Sequence, residues 1–367
     1  MSGTLAAMGL GTPLTPELVR AAYALILGRE PESQAAIDFH LRLADVKTLG
    51  EVLLNSREFQ LRQPPRPHEH QVFAGYGPGD RAILDAFTPW QGTAPPDRYV
   101  NWLGVSVRTA FVRSTLPFGG MVEGRPEPVG SLQGETAEWI AVLRSVLAAA
   151  PGRYAMLELG AGYGPWMAIT ACAARQRGIG RLRLYGVEGD ADRCAFLHTH
   201  MRDNGIAPES YVALHGAVGK AAGTVEWGVA PEAAQHYGAR PLEAGLVDYA
   251  GIAHVATRRL PMLGIEELLR REPQWDLVHL DIQGGEAEVC RAGIKAMEEC
   301  VRRVVIGTHS RALDGEVMRL FHDAGWVLEA EKPAVMQWRA GTALEALTTV
   351  DGLQAWRNPR LAGEVPG

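Results

Sequence analysis

From residue 153 onward, short apolar runs alternate with longer segments in which apolar residues recur every three or four positions. The short runs predict strands and the longer segments predict helices. Strands are predicted at 154–159, 182–187, 211–215, 275–281 and 301–308, and closing strands at 326–331 and 344–350. Helices are predicted at 166–177, 190–204, 265–271, 287–299 and 313–324. This alternation is typical of an α/β fold, a mostly parallel sheet with helices on both faces.

The first part of the chain has helical periodicity alone. Thr15, Pro16 and Glu17 are typical of a helix start, an N-cap followed by a first-turn proline and a first-turn acid. Helices are predicted at 16–27, 32–43, 49–54 and 56–61. Residues 1–62 are therefore predicted to form a small all-α domain.

Residues 63–150 are predicted to be a linker followed by a cover over the ligand site. The proline-rich stretch 63–70 cannot continue a helix and predicts a semi-rigid linker. Residues 84–130 contain many Gly, Pro and aromatic residues, and 134–148 predicts an amphipathic helix. A lid, a contact between copies of the chain in a homo-oligomer, and simple packing beside the sheet are the alternatives for 84–130. The third domain is predicted to span 151–367.

Composition and charge limit the classes of function. The chain has 367 residues, is 47% hydrophobic and carries a net charge of −6. A net negative charge argues against general nucleic-acid binding, which needs clustered Lys and Arg. No segment approaches the roughly 18 apolar residues of a membrane span, and residues 1–14 lack the basic and apolar regions of a signal peptide. The four cysteines are isolated, which indicates reduced thiols and a cytoplasmic protein.

Candidate chemistry begins where the first strand of the α/β region ends. Glu158 is followed by Gly160, Gly162 and Gly164 on alternate positions, and Pro165 then opens a helix. Glycines allow positive φ and close backbone approach, and the free N–H groups of a helix start face a ligand. The strand, glycine turn and helix together predict a site for a nucleotide-like ligand.

Two carboxylates favour S-adenosylmethionine over a nicotinamide dinucleotide. The dinucleotide fingerprint G-x-G-x-x-G requires a glycine where this chain has Pro165. Glu158 is placed to accept from the ammonium of an amino-acid moiety, which S-adenosylmethionine has and NAD lacks. Glu188 ends the second strand, 28 residues beyond Gly160, and is placed to bind both hydroxyls of a ribose, a feature that both cofactors share.

The motifs resemble those of FkbM-type methyltransferases. The resemblance covers residues 150–335 and rests mainly on the glycine turn and the block Asp281-Ile-Gln-Gly-Gly-Glu286. It implies a class I methyltransferase, Rossmann-like fold and O-methylation of sugars or natural products. The opening Glu-Leu-Gly-Ala-Gly departs from the usual acidic-Val-Gly-Ala-Asn and indicates a divergent branch. Residues 22–59 resemble a small helical domain of unknown function that occurs in bacterial glycan-related proteins.

The resemblance implies the roles of the cofactor-binding residues. Glu158 and the three glycines would form the methionine side of the pocket, Glu188 would bind the ribose, and Gly216, Ala217 and Val218 would lie against the adenine. At the reacting end, Asp281 ends the fourth strand and His309 follows the fifth, so both would meet beside the transferred methyl. His309, with an ordinary pKa near 6.5, could act as a general base. Alternatively, Asp281 and His309 could help to hold Mg²⁺.

The next residues after Asp281 are predicted to contact the substrate. Gln283 is a candidate contact, and Glu286 could either contact substrate or accept from the exposed N–H groups of its own helix. His279 is interpreted as a buried core histidine. The leading hypothesis is an S-adenosylmethionine-dependent O-methyltransferase that acts on a small-molecule or glycan acceptor. A catalytically silent binding module and a nicotinamide-dependent oxidoreductase are the alternatives.

Overall fold

The structure, a computed structural model, describes residues 11–54, 56, 59, 79–112, 119–126, 134–229, 241, 256–342 and 345–363. Contacts divide the chain into two compact units, Met1–Glu69 and His70–Gly367. The predicted linker at 63–70 and most of the predicted helix at 56–61 lie outside the described residues.

The first unit contains the predicted helices, α1 (Pro16–Ala22), α2 (Gln34–His40) and α3 (Val46–Leu54). A π-helical turn, Tyr23–Leu27, continues α1, so the predicted helix at 16–27 is present with a wider last turn. The side chain of Thr15 caps α1 by accepting from the Leu18 N–H at 3.3 Å. A small apolar core holds the helices together and consists of Val19, Tyr23, Leu27, Ile37, Leu49 and Leu53.

The second unit is α/β. Its strands are β1 (Arg98–Val100), β2 (Ser106–Arg108), β3 (Arg153–Leu159), β4 (Arg181–Glu188), β5 (Tyr211–His215), β6 (Ala217–Gly219), β7 (Gly223–Val229), β8 (Ala256–Gly264), β9 (Leu277–Leu280), β10 (Arg303–Thr308), β11 (Val327–Lys332), β12 (Val335–Met336), β13 (Thr348–Val350) and β14 (Gly352–Arg357). Its helices are α4 (Asp80–Asp85), α5 (Thr136–Leu147), α6 (Pro165–Gln176), α7 (Ala191–Asp203), α8 (Ile265–Leu269), α9 (Glu286–Cys300) and α10 (Arg311–Asp323).

In the described part of the chain, seven of these strands form one sheet in the order β11-β14-β10-β9-β3-β4-β5. β3, β4, β5, β9 and β10 pair in parallel, whereas β14 runs antiparallel to both of its neighbours. The chain moves outward from β3 to β4 and β5 on one side and from β9 to β10 on the other. The topological switch point therefore lies between β3 and β9, where ligands bind at the carboxyl ends of the strands.

Helices cover both faces of this sheet, as predicted. Because side chains alternate across a strand, Tyr154 and Met156 of β3 contribute to one apolar cluster and Leu157 and Leu159 to the other. The first cluster includes buried residues of α5 and α6, and the second includes those of α9 and α10. The α/β expectation from the hydrophobic pattern is thus confirmed.

The described residues of 79–112 and 134–147 share an apolar cluster with the sheet, and the predicted domain boundaries at 62 and 150 stay predictions. Tyr99, Trp102 and Phe111 are buried, and the rings of Trp102 and Trp139 lie 6.0 Å apart. These aromatic residues belong to the same apolar cluster as the β3 residue Met156. The segment packs beside the sheet because its large side chains fill the space over α5.

The second closing strand lies later in the chain than predicted. β14 (Gly352–Arg357) fills the sheet position that was expected for 344–350, while β13 pairs with β12 outside the main sheet; residues 343 and 344 lie outside the described part. Polar residues interrupt the apolar run of β14, so the hydrophobic pattern does not predict this strand. Gln354 is buried and donates to the Asp314 carbonyl at 2.8 Å, and buried Arg357 pairs with Glu329 at 3.1 Å.

A second sheet after β5 has no counterpart in the predicted elements. It has the order β6-β8-β7, with β7 and β8 antiparallel. Much of β7 and β8 is exposed, so their apolar residues do not form a run. This sheet brings Trp227 toward the carboxyl end of β4, where it contacts Gly189.

No helix in the described part of the chain is long and apolar enough to cross a membrane. The four cysteines are free thiols.

Candidate active site

The glycine turn joins β3 to α6 and brings two strand ends together. Gly160 has φ 79°, and a Cβ there would lie 1.8 Å from the carbonyl oxygen of Asp281. The N–H groups of Gly160 and Ala161 donate to the Val187 carbonyl at 3.0 and 2.9 Å. Pro165 is the first residue of α6, as predicted. Glycine is therefore required at 160 because the ends of β3 and β9 touch there.

Glu158 lies under the turn and is only 1% exposed. Its carboxylate accepts from the N–H groups of Met167 at 2.9 Å and Trp166 at 3.4 Å, at the start of α6. Burial raises the pKa of Glu158 to about 8, although His279 and the two N–H groups oppose that shift. A carboxylate offers about four lone-pair sites, so Glu158 can accept a further hydrogen bond from a ligand.

Glu188 holds the turn from the side of β4. Its two oxygens accept from the N–H groups of Gly162 and Asp190, both at 2.7 Å. Burial raises its pKa, and the nearby Arg193 opposes the shift. The carboxylate is thus fixed in position at the strand end, where sequence analysis placed a ribose contact.

Among the described residues, three cavities meet at Asp281, which lines each of them. The first cavity has a volume of about 220 Å³, and its lining includes Gly160, Gly162, Glu188, Gly216, Ala217, Val218, Trp227 and Gln283. The second has about 230 Å³, and its lining includes Glu138, Glu158, Gly160, Gly162, Tyr163, Trp166 and His279. The third has about 290 Å³, and its lining includes Glu135, Glu138, His309, Lys332 and Asp351.

The structure brings Asp281 and His309 together, as sequence analysis expected. His309 Nε2 lies 3.2 Å from Asp281 Oδ1, and its Nδ1 lies 3.0 Å from Glu286 Oε1. The contact between Nδ1 and Glu286 is an ion pair without hydrogen-bond geometry. Burial alone would lower the pKa of His309, but the two carboxylates raise it to about 12. His309 is consequently an imidazolium at neutral pH, which corrects its predicted role as a general base with an ordinary pKa.

Asp281 is ionised because neighbouring groups stabilise its negative charge. Burial would raise its pKa, but the hydrogen bonds from His309 and Gln283 and the positive charge of His309 lower it below the ordinary value. Gln283 Nε2 donates to Asp281 Oδ1 at 2.9 Å. Gln283 has φ 60°, a conformation that side-chain-bearing residues rarely adopt. The loop therefore stores backbone strain at the point where the three cavities meet.

Glu286 is 0% exposed, which corrects its predicted role as a substrate contact. Its carboxylate accepts from the N–H groups of Ile282 at 3.0 Å and Gly284 at 3.0 Å. These hydrogen bonds and the positive charge of His309 stabilise the buried carboxylate of Glu286. The two donors lie in the loop before α9, so Glu286 does not serve the N–H groups of its own helix start, which was the alternative considered for it.

The residues do not fit a Mg²⁺ ion. Ligand atoms of Asp281, Glu286 and His309 lie within 4.8 Å of one another. However, the His309 ring stands between the two carboxylates and directs one nitrogen toward each of them. Nε2 contacts Asp281 and Nδ1 faces Glu286, so neither nitrogen is turned toward a site for an ion, and Mg²⁺ prefers oxygen ligands and usually keeps several waters. The positive charge between the carboxylates belongs to the imidazolium.

Glu138 lines both the second and third cavities, although its position in the sequence did not mark it as a site residue. Glu138 Oε1 lies 2.8 Å from Nε2 of His279, which is 2% exposed. His279 is thus buried, as expected, but it is also part of the wall of the second cavity. The partners are 141 residues apart in the chain, and the helical pattern of 134–148 does not distinguish Glu138 from a surface acid.

The sequence pattern also gave no sign of an ion pair in the third cavity between a buried lysine and a more exposed acid. Lys332 is 2% exposed and pairs with Glu135. The lining of this cavity therefore combines the acids Glu135, Glu138, Asp281 and Asp351 with the cations Lys332 and His309.

The fold and the site define a class of protein. Five parallel strands in this order, a reversed β14 and a glycine turn at the switch point are the architecture of class I methyltransferases. The chain is 32% identical over 273 residues to a protein of Jannaschia sp. (strain CCS1) named "Putative methyltransferase", an alignment covering 73% of this chain and 95% of that protein. The chain belongs to the methyltransferase family of that protein. No protein-family model matches the chain.

Solved structures with similar folds are more distant. The methyltransferase FkbM from Methylobacillus flagellatus KT has 11% identity and a TM-score of 0.36, covering 60% of this chain and 54% of that one. The precorrin-6y C5,15-methyltransferase from Geobacter metallireducens GS-15 has 11% identity and a TM-score of 0.34, covering 63% and 89%. Because both TM-scores are below 0.5, these structures provide no evidence beyond the strand order itself.

Proposed function

We propose that this protein is an S-adenosylmethionine-dependent O-methyltransferase of the FkbM type, acting on a hydroxyl of a saccharide or a related small molecule. The observation that carries the proposal is the meeting of three cavities at Asp281. Two of them suit the two ends of the cofactor, and the third suits an acceptor beside them.

The carboxylates of the first two cavities favour this cofactor. Glu188 would accept from the ribose hydroxyls in the first cavity, with Gly216, Ala217 and Val218 against the adenine. Glu158 would accept from the ammonium of the methionine moiety in the second. A dinucleotide would instead bring a pyrophosphate close to these carboxylates, where like charges repel.

The lining of the third cavity favours a hydroxylated acceptor without phosphate. Glu135, Glu138, Asp281 and Asp351 outnumber the cations Lys332 and His309. Burial raises the pKa of Glu138 and Asp351, and carboxyl groups in either protonation state form hydrogen bonds with sugar hydroxyls. A lining with more acids than cations disfavours a phosphorylated or carboxylated acceptor.

In the proposed mechanism the chain mainly aligns the reactants. Bound S-adenosylmethionine supplies an electrophilic methyl group on a sulfonium. In-line transfer requires the acceptor oxygen to be held close to that methyl. The bonds from His309 and Gln283 both end on Asp281 Oδ1, so Oδ2 is available to bind the acceptor hydroxyl and to take its proton as transfer proceeds. His309 orients Asp281 as a fixed cation and does not itself accept the proton.

Calorimetry with S-adenosylhomocysteine and with NAD tests the cofactor. We expect S-adenosylhomocysteine to bind and NAD not to bind. The affinity should rise between pH 6.5 and 8.5, because Glu158, with a pKa of about 8, must be ionised to accept the ammonium. Glu158→Gln should weaken binding by about tenfold and flatten this pH dependence.

The control variant is Glu209→Gln, at an exposed acid outside the cavities, which should bind like the wild type. A wild-type protein that fails to bind S-adenosylhomocysteine would contradict the proposed function. The acceptor class is tested by offering methyl-labelled cofactor with neutral saccharides and with their phosphorylated counterparts. Preferential labelling of the phosphorylated compounds would contradict the assignment of the third cavity.

A further inference from the structure

Trp227 of β7 lies against the carboxyl end of β4. It is 8% exposed, and it forms part of the wall of the first cavity. A Cβ on Gly189, the residue after Glu188, would lie 2.5 Å from Cζ2 and 2.8 Å from Cε2 of this indole. The φ of Gly189 is not in the left-handed region. Glycine at 189 is therefore required by the closeness of the indole and not by the backbone conformation.

The indole N–H of Trp227 lacks an acceptor among the residues that the structure describes. Its Nε1 is buried, and no described residue accepts a hydrogen bond from it. Nε1 is bonded to Cε2, one of the ring atoms closest to Gly189, which places the N–H at the edge of the indole beside the strand end. An indole N–H can only donate, and a buried donor without a partner is destabilising. A ligand in the first cavity that satisfies this N–H must present an acceptor.

We infer that Trp227 recognises the adenine base of the cofactor, donating its indole N–H to a ring nitrogen. This inference rests on the proposed function. The ribose hydroxyls are assigned to Glu188, so the base is the part of the cofactor left for Trp227. Glu188 itself accepts hydrogen bonds from two backbone N–H groups. Adenine presents unprotonated ring nitrogens in its plane, and each of these can accept a hydrogen bond from the edge of the indole. The three-stranded sheet β6-β8-β7 thereby supplies a specificity-determining residue from outside the main sheet.

Substitution of Trp227 and titration with S-adenosylhomocysteine test the inference. Trp227→Phe keeps an aromatic ring and removes the donor, so the dissociation constant should rise about three- to tenfold. Gly189→Ala should weaken binding at least as much, because its Cβ displaces the indole. Binding should quench tryptophan fluorescence in the wild type, and this change should be lost in Trp227→Phe. Trp338→Phe is the matched control, since Trp338 is 77% exposed and lies outside the cavity lining.

Deaza analogues of S-adenosylhomocysteine identify the acceptor atom. The analogue in which carbon replaces the nitrogen that accepts from Trp227 should bind the wild type more weakly, but it should bind Trp227→Phe as well as the parent ligand does. Equal affinity of the wild type and Trp227→Phe for S-adenosylhomocysteine would overturn the inference and leave the proposed function intact. Failure of the wild type to bind would overturn both.

Discussion

The charge of His309 depends on carboxylates from two other places in the chain. Asp281 follows β9 and Glu286 begins α9, and each contacts one nitrogen of the ring. Glu286 has no exposed surface, so its charge must be balanced by neighbouring groups. The imidazolium therefore serves two functions, because it stabilises Glu286 and orients Asp281.

We expect His309→Gln to lower the free energy of unfolding by about 3–5 kcal/mol at neutral pH, because it leaves two carboxylates without their cation. The pKa of His309 is raised from 6.5 to about 12 on folding. The stabilisation is therefore complete below about pH 6.5 and is lost as the pH rises toward 12. Urea unfolding at pH 6, 7.5 and 9 should show the gap between wild type and variant shrinking as the pH rises.

His322→Gln is the control for that experiment, because the His322 side chain is 81% exposed. It should leave stability almost unchanged at all three pH values. A gap for His309→Gln that stays constant over this range would show that His309 is not held as an imidazolium.

At the scale of elements, the glycine turn determines how closely β3 and β9 approach. The turn contacts β4 through Glu188 and β9 through the carbonyl of Asp281. Any movement of the turn thus moves Asp281, whose carboxylate lies at the meeting point of the cavities. The geometry of this element controls both cofactor binding and the position of the proposed catalytic group.

Gly160→Ala and Gly178→Ala separate backbone strain from steric clash. Both glycines have positive φ, 79° and 72°, but a Cβ at 178 meets nothing within 4 Å whereas one at 160 lies 1.8 Å from the Asp281 oxygen. We expect Gly178→Ala to cost about 1–2 kcal/mol of stability and to keep wild-type affinity for S-adenosylhomocysteine. Gly160→Ala should lower stability further and weaken binding more than tenfold, as measured by thermal unfolding and calorimetry. Equal losses of affinity in both variants would contradict the proposed role of the contact.

Two other elements show why local patterns fail. β14 lies in the main sheet although Gln354 and Arg357 interrupt its apolar run, because partners from α10 and β11 satisfy these side chains. The strands β7 and β8 are largely exposed, so they lack a clear pattern and remained unpredicted. In both cases, pairing with distant strands compensates for a weak local signal.

At the scale of the whole molecule, every residue assigned to the site belongs to the unit His70–Gly367. In the described part of the unit Met1–Glu69, six buried apolar residues form a core of their own. Such a small core contributes only marginal stability by itself.

We therefore expect a chain of residues 70–367 to fold and to bind S-adenosylhomocysteine with an affinity within about twofold of the full-length protein. Calorimetry on both proteins measures this, and circular dichroism checks that the shorter chain keeps its α/β structure. A folded short chain that has lost binding would show that the N-terminal unit contributes to the site.

The sequence by itself determined the parts that depend on neighbouring residues. The glycine turn, the start of α6 at Pro165 and the alternation of strands and helices are local signals, and the structure agrees with them. The pairing of Asp281 with His309 was also predictable, because adjacent parallel strands end at the same edge of a sheet.

Only the tertiary structure decided the protonation and the partners of these groups. The pKa of His309 depends on Glu286, for which the sequence left a substrate contact and a helix-start role open, and His279 meets Glu138 across 141 residues of chain. Trp227 reaches the first cavity from a sheet that the pattern did not reveal. Electrostatic shifts and unsatisfied donors arise from burial and long-range proximity, and neither can be read from the order of residues.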